Sequence, residues 1–248
     1  MSDVLGWRRT FGLLVPSTNT SVQPEMEAMR PTGVTLHTAR IHIPDDPVGS
    51  DADFERLIAR IEAATMDAVD RAATCGPAAI VLGISAESFW EGTDGSAALK
   101  AEIEERAGVP AHLASDGLLA ALEALGAPRR IAVLTPYMPV GDERVRRFFG
   151  QCGVEVVRIT GLRSPSPQQA AHIPEVALRD AVAALDGPEV EAIVQVGTNL
   201  AFARVAAMAE FWLGKPVICA TTATFWHALR RSGIADRVAG FGALLEGH

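Results

Sequence analysis

Residues Ala78-Ala-Ile-Val-Leu-Gly-Ile-Ser85-Ala-Glu87-Ser88-Phe-Trp90 are an apolar run of strand length that stops at a small hydroxyl residue. Polar and aromatic side chains follow at once. In an open α/β sheet, ligands bind at the carboxyl end of such a strand. A second stretch, Glu191-Ala-Ile-Val-Gln-Val-Gly-Thr198-Asn199, has the same shape. The reading is that these two strand ends face each other across one small-molecule site.

Outward from these stretches, short apolar runs alternate with helical stripes. Thr10–Val15, Val34–Ile41, Arg130–Thr135, Val154–Ile159 and Pro216–Cys219 read as further strands. Ser50 and Asp53 resemble a capping box at the head of a helix. Its stripe runs through Phe54, Leu57, Ile61, Ala64, Ala68 and Ala72, and Gly76-Pro77 stops it. Other helices are expected near Gly95–Ala107, from Ser115, around Val145–Cys152, near Glu175–Leu185, from about Leu200 to Leu213, and over Ala223–Arg231. Strand and helix alternating throughout gives an α/β class with a mainly parallel sheet.

The chain also repeats itself. Arg8-Arg9 leads a run ending at Pro16, and Arg129-Arg130 one ending at Pro136. Ala79-Ile-Val-Leu-Gly resembles Ala192-Ile-Val-Gln-Val, and Gly108-Val-Pro-Ala resembles Gly214-Lys-Pro-Val, in the same order in both halves. This implies two pseudo-symmetric lobes, each a mainly parallel sheet flanked by helices, with an active-site cleft between them. The first lobe is expected to hold residues 1–115 plus 221–248 and the second 116–220. On this symmetry Ser85 pairs with Thr198, Ile84 with Gly197, and Ser17 with Tyr137.

The bulk numbers narrow the function. A chain of 248 residues, 48% of them hydrophobic, can bury a sizeable core. A net charge of -8 spread along the chain argues against nucleic acid or an anionic membrane as partner. The N-terminus has no signal-like apolar region, and Cys75, Cys152 and Cys219 are odd in number and far apart. Reduced thiols in a cytoplasmic protein are expected, with no membrane anchor. No cofactor is expected either. There is no G-x-G-x-x-G, and Gly214-Lys215 is followed by Pro, so there is no P-loop. The six histidines lack ligand spacing, so no metal site is expected.

The strand ends offer Ser17, Asn19, Ser85, Tyr137, Thr198 and Asn199, all neutral donors, beside the starts of helices. Such a ring suits a carboxylate or a developing enolate. The same residue types also cap helices, and each could be only a cap. Glu87 is a candidate acid or base, or a solvated carboxylate. His227 is a candidate proton carrier, or a packed histidine beside Phe225-Trp226. Ile84, Phe89 and Trp90 either desolvate a carboxylate or fill the core. Gly83-Ile-Ser85-Ala-Glu87 is similar to a nucleophile elbow but lacks its last glycine, which makes a hydrolase triad with His227 a distant alternative.

Gly12-Leu-Leu-Val-Pro-Ser-Thr-Asn-Thr20, Leu134-Thr-Pro-Tyr137, Leu82–Trp90 and Pro216-Val-Ile-Cys-Ala-Thr-Thr-Ala-Thr-Phe-Trp226 together resemble the aspartate/glutamate racemase superfamily. The likeness is greatest to its branch of maleate cis-trans isomerases and arylmalonate decarboxylases, and it covers essentially the whole chain. It implies that Ser17 and Asn19 hold a substrate carboxylate, that Tyr137 donates to a carboxylate or enediolate oxygen, and that Ser85 donates to the same oxygens. Ala86, Gly197 and Asn199 fall in the implied substrate-binding segments. The resemblance implies that racemases and isomerases of that superfamily use two opposed cysteines, one at each central strand end, as nucleophiles or acid–base groups, and that its decarboxylases keep only the second, which protonates the enediolate. In this sequence those positions hold Ile84 and Gly197. A shift of one residue gives Ser85 and Thr198, again not cysteine. Cys219, at the end of a strand, is the remaining thiol candidate.

The expected function is therefore a cofactor-independent lyase or isomerase, resembling a decarboxylase or a cis-trans isomerase. It would act on a small carboxylic or dicarboxylic acid through a stabilised enolate, without the usual cysteine pair. Ser85, Tyr137, Thr198, Glu87 and Cys219 are its candidate catalytic residues. The alternative is a non-catalytic binding or regulatory protein for a small organic acid. Homo-oligomerisation is compatible with Phe211 and Trp212 on a helix surface, as is core packing.

Overall fold

The computed structural model describes residues 3–248. The first half runs β1 (Arg9–Pro16), α1 (Val22–Met29), β2 (Val34–Ile41), α2 (Asp51–Ala73), β3 (Ala79–Leu82), α3 (Ala86–Trp90), α4 (Gly92–Ala107) and β4 (Ala111–His112). After α5 (Ala114–Ala124) the second half runs β5 (Arg130–Thr135), α6 (Pro139–Gln151), β6 (Glu155–Gly161), a 3-10 turn at Gln169–His172, α7 (Glu175–Leu185), β7 (Ala192–Gln195), α8 (Ala203–Leu213) and β8 (Val217–Cys219). α9 (Ala220–Arg231) and α10 (Ala243–Gly247) close the chain.

Each half builds one four-stranded sheet in which every pairing is parallel, ordered β2-β1-β3-β4 and β6-β5-β7-β8. The repeat extends to single hydrogen bonds. Gly83 N–H donates to Leu14 O, and Val196 N–H to Leu134 O. Ile84 thus corresponds to Gly197 and Ser85 to Thr198. In both sheets the strand order reverses between the two central strands. That crevice is the topological switch point, where open α/β sheets place their ligands.

Local sequence explains the elements. β1 is apolar from Phe11 to Val15 and buried on both faces, as a central parallel strand must be. Gly12 lets α2 lie close, since an added Cβ there would press on Ile80 and Ala72. α2 starts where Ser50 Oγ accepts Asp53 N–H and donates to the Asp53 carboxylate. It buries Phe54, Ile58, Ile61, Thr65, Ala68, Val69 and Ala72. Leu57 and Ala64, expected in the stripe, flank it half-buried. α9 returns to the first sheet, packing on β3, β4 and α1 as well as along α5. Gly117 of α5 sits directly against the Ala223 carbonyl.

Several boundaries differ from the sequence reading. α3 is an extra helix, split from α4 by Gly92 at φ 70°. All five of its residues are buried, so it has no polar face and no periodic signature. α4 starts at Gly92, α8 at Ala203 and α9 at Ala220. Among the described residues no helix is long and apolar enough to cross a membrane, and no group of three His, Cys, Asp or Glu side chains could hold a metal ion.

Candidate active site

Between the two sheets lies a pocket with about 640 Å³ of unfilled space, the open solvent at its mouth included. The ends of the four central strands and the loops after them form its floor: Pro16 at the end of β1 with Thr18 and Asn19 beyond it, Ile84–Ala86 after β3, Pro136–Met138 after β5, and Gly197–Asn199 after β7. Phe54, Leu57, Ile58 and Ile61 of α2 make one apolar wall, joined by Ile43 and Val48. Ser164, Ser166, Pro167 and Ala170 close the other side. No lining residue is charged.

Two loops meet over the mouth. Val48 N–H donates to Pro165 O, and Gln168 N–H to an Asp45 carboxylate oxygen, each at 2.8 Å. One loop comes from each lobe.

The polar end centres on Ser85. Its Oγ accepts the N–H of Gly197 at 2.9 Å and of Thr198 at 3.3 Å, and lies 2.8 Å from Tyr137 Oη. A hydroxyl has two lone pairs and one proton. With both lone pairs engaged by backbone donors, the Ser85 proton goes to Tyr137 Oη. The phenol proton is thereby left for the pocket. The relay runs from the backbone amides through Ser85 to Tyr137, each bond polarising the next. Burial raises the Tyr137 phenol well above its ordinary value, so it stays a donor. Phe54 packs against the Tyr137 ring at 5.1 Å between centroids, with the two planes tilted by 47°.

The two asparagines and Thr198 line the same floor while tying the lobes together. Asn19 Oδ1 accepts the N–H groups of Ser21 and Val22 at the head of α1, and its Nδ2 donates to Thr198 Oγ1. The Thr198 hydroxyl donates to Gly83 O. Asn199 Oδ1 accepts Thr20 N–H, and its Nδ2 donates to Pro167 O. Asn19 is therefore both a cap and part of the wall.

Four candidates lie elsewhere. Ser17 Oγ is committed to the backbone of Ile43, donating to its O at 2.9 Å and accepting its N–H at 3.0 Å. It pins the β2 exit and does not line the pocket. Glu87, two residues into α3, turns away to α2, where Thr65 Oγ1 lies 3.3 Å from its Oε2. Burial, then Glu62, raises its carboxyl to about 7, with Thr65 opposing. Cys219 is buried against α8 and the C-terminal segment, near Phe241 and Leu244, with its thiol pushed up to about 12 by burial. His227 packs edge-on against His112 at 5.2 Å and is held below its ordinary value by burial. Phe89 packs on Phe148 and Phe149, and Trp90 on Phe54, so neither lines the pocket. Cys75 is exposed and Cys152 half-buried at the end of α6, so no thiol lines the pocket among the described residues.

The sequence assigns no site role to Thr18, Met138, Ser164 and Ser166, and it shows Phe54, Leu57 and Ile61 only as a helical stripe, not as a pocket wall. The Ser/Pro-rich run from Gly161 to Gln168 and the apolar stripe of α2 are their only signals.

A model of the arylmalonate decarboxylase family matches residues 11–245. The chain is 28% identical over 249 residues to a maleate isomerase of Pseudomonas putida, covering 96% of this chain and 97% of that one. It is 28% identical over 206 residues to an arylmalonate decarboxylase of Bordetella bronchiseptica, covering 81% of each. Among solved structures, the Nocardia farcinica maleate cis-trans isomerase bound to TRIS superposes with a TM-score of 0.87 at 24% identity, over 96% of this chain and 98% of that one. With a family match along nearly its whole length and the paired-sheet cleft, this chain belongs to the arylmalonate decarboxylase family.

Proposed function

We propose that the protein is a cofactor-independent decarboxylase for a small acid carrying two carboxyl groups on one carbon and an apolar substituent. The observation that carries this is the uncharged pocket with the Ser85–Tyr137 relay at one end and an aliphatic wall at the other. One carboxylate is held by the Tyr137 phenol, whose proton the relay through Ser85 and the Gly197 and Thr198 amides leaves free. The second faces Ile84 and the α2 side chains, where nothing replaces its hydration. The bond from the α-carbon to this second group breaks, and CO2 leaves. The electron pair moves onto the retained carboxyl group as an enediolate. Its oxygens gain charge where the donors already point, so the relay stabilises the transition state more than the substrate. The α-carbon then takes a proton from a water molecule admitted at the pocket mouth, the hydroxide left behind being neutralised by solvent, since no thiol, imidazole or carboxyl group lines the pocket among the described residues.

Neither a thiol-addition isomerase nor a thiol-protonating decarboxylase is matched, but loss of CO2 requires no nucleophile and its product can be protonated by water, whereas isomerisation by thiol addition requires the thiol itself. The positions that the resemblance assigns to cysteine are Ile84 and Gly197. The test is incubation with a panel of substituted malonates, maleate and related acids in deuterium oxide, followed by NMR. Release of CO2 with one deuterium at the α-carbon supports the reading. Turnover of maleate to fumarate in place of malonates overturns it, and stabilisation by acids with no turnover favours a binding protein.

A further inference from the structure

The backbone of Tyr137 is enclosed by a closed ring of polar groups. Its N–H donates to Thr135 Oγ1 at 3.0 Å. The Thr135 hydroxyl donates to Asp142 Oδ1 at 2.5 Å. Asp142 Oδ2 accepts from Arg163 Nη1 at 2.6 Å, and the same nitrogen donates to Tyr137 O, which closes the ring. Asp142 is buried in the first turn of α6, directly after Tyr137 and Met138. Burial raises its carboxyl, and Thr135 and Arg163 draw it back.

Two backbone features independently serve this ring. Arg163 is, among the described residues, one of two non-glycine residues with positive φ, at 53°, a conformation that persists only where its surroundings hold it. Gly161 lies against the ring so closely that an added Cβ would overlap Arg163 Nη1, Asp142 Oδ2 and Tyr137 O together. Arg163 also belongs to the segment that brings Ser164, Ser166 and Pro167 to the pocket. That segment is laced to the β5 exit by Leu162 N–H to Thr135 O and Ser164 N–H to Pro136 O.

We propose that Arg163 and Asp142 are positioning residues. The ring they close fixes the aim of the Tyr137 phenol and couples it to the loop over the pocket. The inference rests on the reading of Tyr137 as the donor, and its test is chosen to separate the two. Tyr137 is the only tyrosine in the chain, so tyrosine labelled with carbon-13 at the hydroxyl-bearing ring carbon gives one NMR signal.

Arg163→Ala and Asp142→Asn are expected to shift or broaden that signal, and Arg163→Lys, which keeps the charge, to return it part of the way. Where an acid is turned over, Arg163→Ala should lower kcat about 10- to 100-fold with a smaller change in KM, as a misplaced catalytic group does. Gly161→Ala, which alters no polar group, should move the signal in the same direction. If the signal moves and no acid is turned over, the positioning role stands and the proposed reaction fails. If Arg163→Ala and Gly161→Ala both fold with the tyrosine signal unmoved, the positioning role is overturned whatever the activity.

Discussion

Gly197 lies against the ring of Pro136, at φ 112°, so closely that an added Cβ would overlap Pro136 Cδ and Cγ. Residue 197, to which the resemblance assigns the second cysteine, is therefore closed to a side chain by both sterics and backbone conformation. Gly197→Cys should destabilise the fold by about 1–3 kcal/mol or more and should create no activity. Chemical denaturation and turnover assays check both. Ile84 differs, because it borders the pocket. Ile84→Cys should fold and place a thiol there, and bromoacetate should modify the peptide carrying residue 84. An unmodified residue 84 beside a labelled Cys75 would show that the wall does not face the ligand space.

Tyr137→Phe removes the only free proton of the relay while keeping the ring. A loss of about 10²–10³-fold in kcat/KM is expected, as for removal of one oxyanion donor, with most of it in kcat. Steady-state kinetics on the best acid of the panel measures it. An effect confined to KM would reduce Tyr137 to ground-state binding.

Ser85→Ala leaves the Gly197 and Thr198 N–H groups without their acceptor and the Tyr137 oxygen without its donor. Unsatisfied buried groups make this costly, by about 1–3 kcal/mol of stability. Ser85→Thr keeps the hydroxyl and should recover most of that loss in a urea titration. Equal stability of the wild type and the alanine variant would contradict the relay.

Glu87 gives the protein a pH signature away from the pocket. Its carboxyl holds a proton up to about 7 in the fold and ionises near 4.5 otherwise. Between those values the folded state binds a proton that the unfolded state has released, so stability falls as pH rises. This contribution is complete below about 4.5 and is lost as pH passes 7, a change of about 3 kcal/mol at 1.36 kcal/mol per unit. Glu87→Gln should flatten that part of the stability profile and be more stable than wild type at pH 8. Parallel profiles for the two proteins would show that Glu87 ionises freely.

The strands, the repeat and the cleft were legible because each rests on local pattern: apolar runs, terminating Pro and Gly, and motifs in a common order. Ser85, Tyr137 and Thr198 followed from the repeat and the resemblance. The roles of neighbouring residues were less legible, because side-chain direction at a strand end is set by the turn that follows. Ser17 turns back to Ile43 while Thr18 and Asn19 reach the pocket. Glu87 rides on a helix with no periodic signature, which turns it to α2. The α2 wall, Ser164 and Ser166 come from segments whose approach to the site depends on loops far apart in sequence.

The uncharged lining has a last consequence. Among the described residues no carboxylate, imidazole or amine borders the ligand space, and burial holds the one phenol there well above its ordinary value. The walls thus keep a constant protonation state across the ordinary working range. A pH–rate profile measured on this protein should report the ionisation of the acid being bound, and it should move when the acid is replaced by one of different strength.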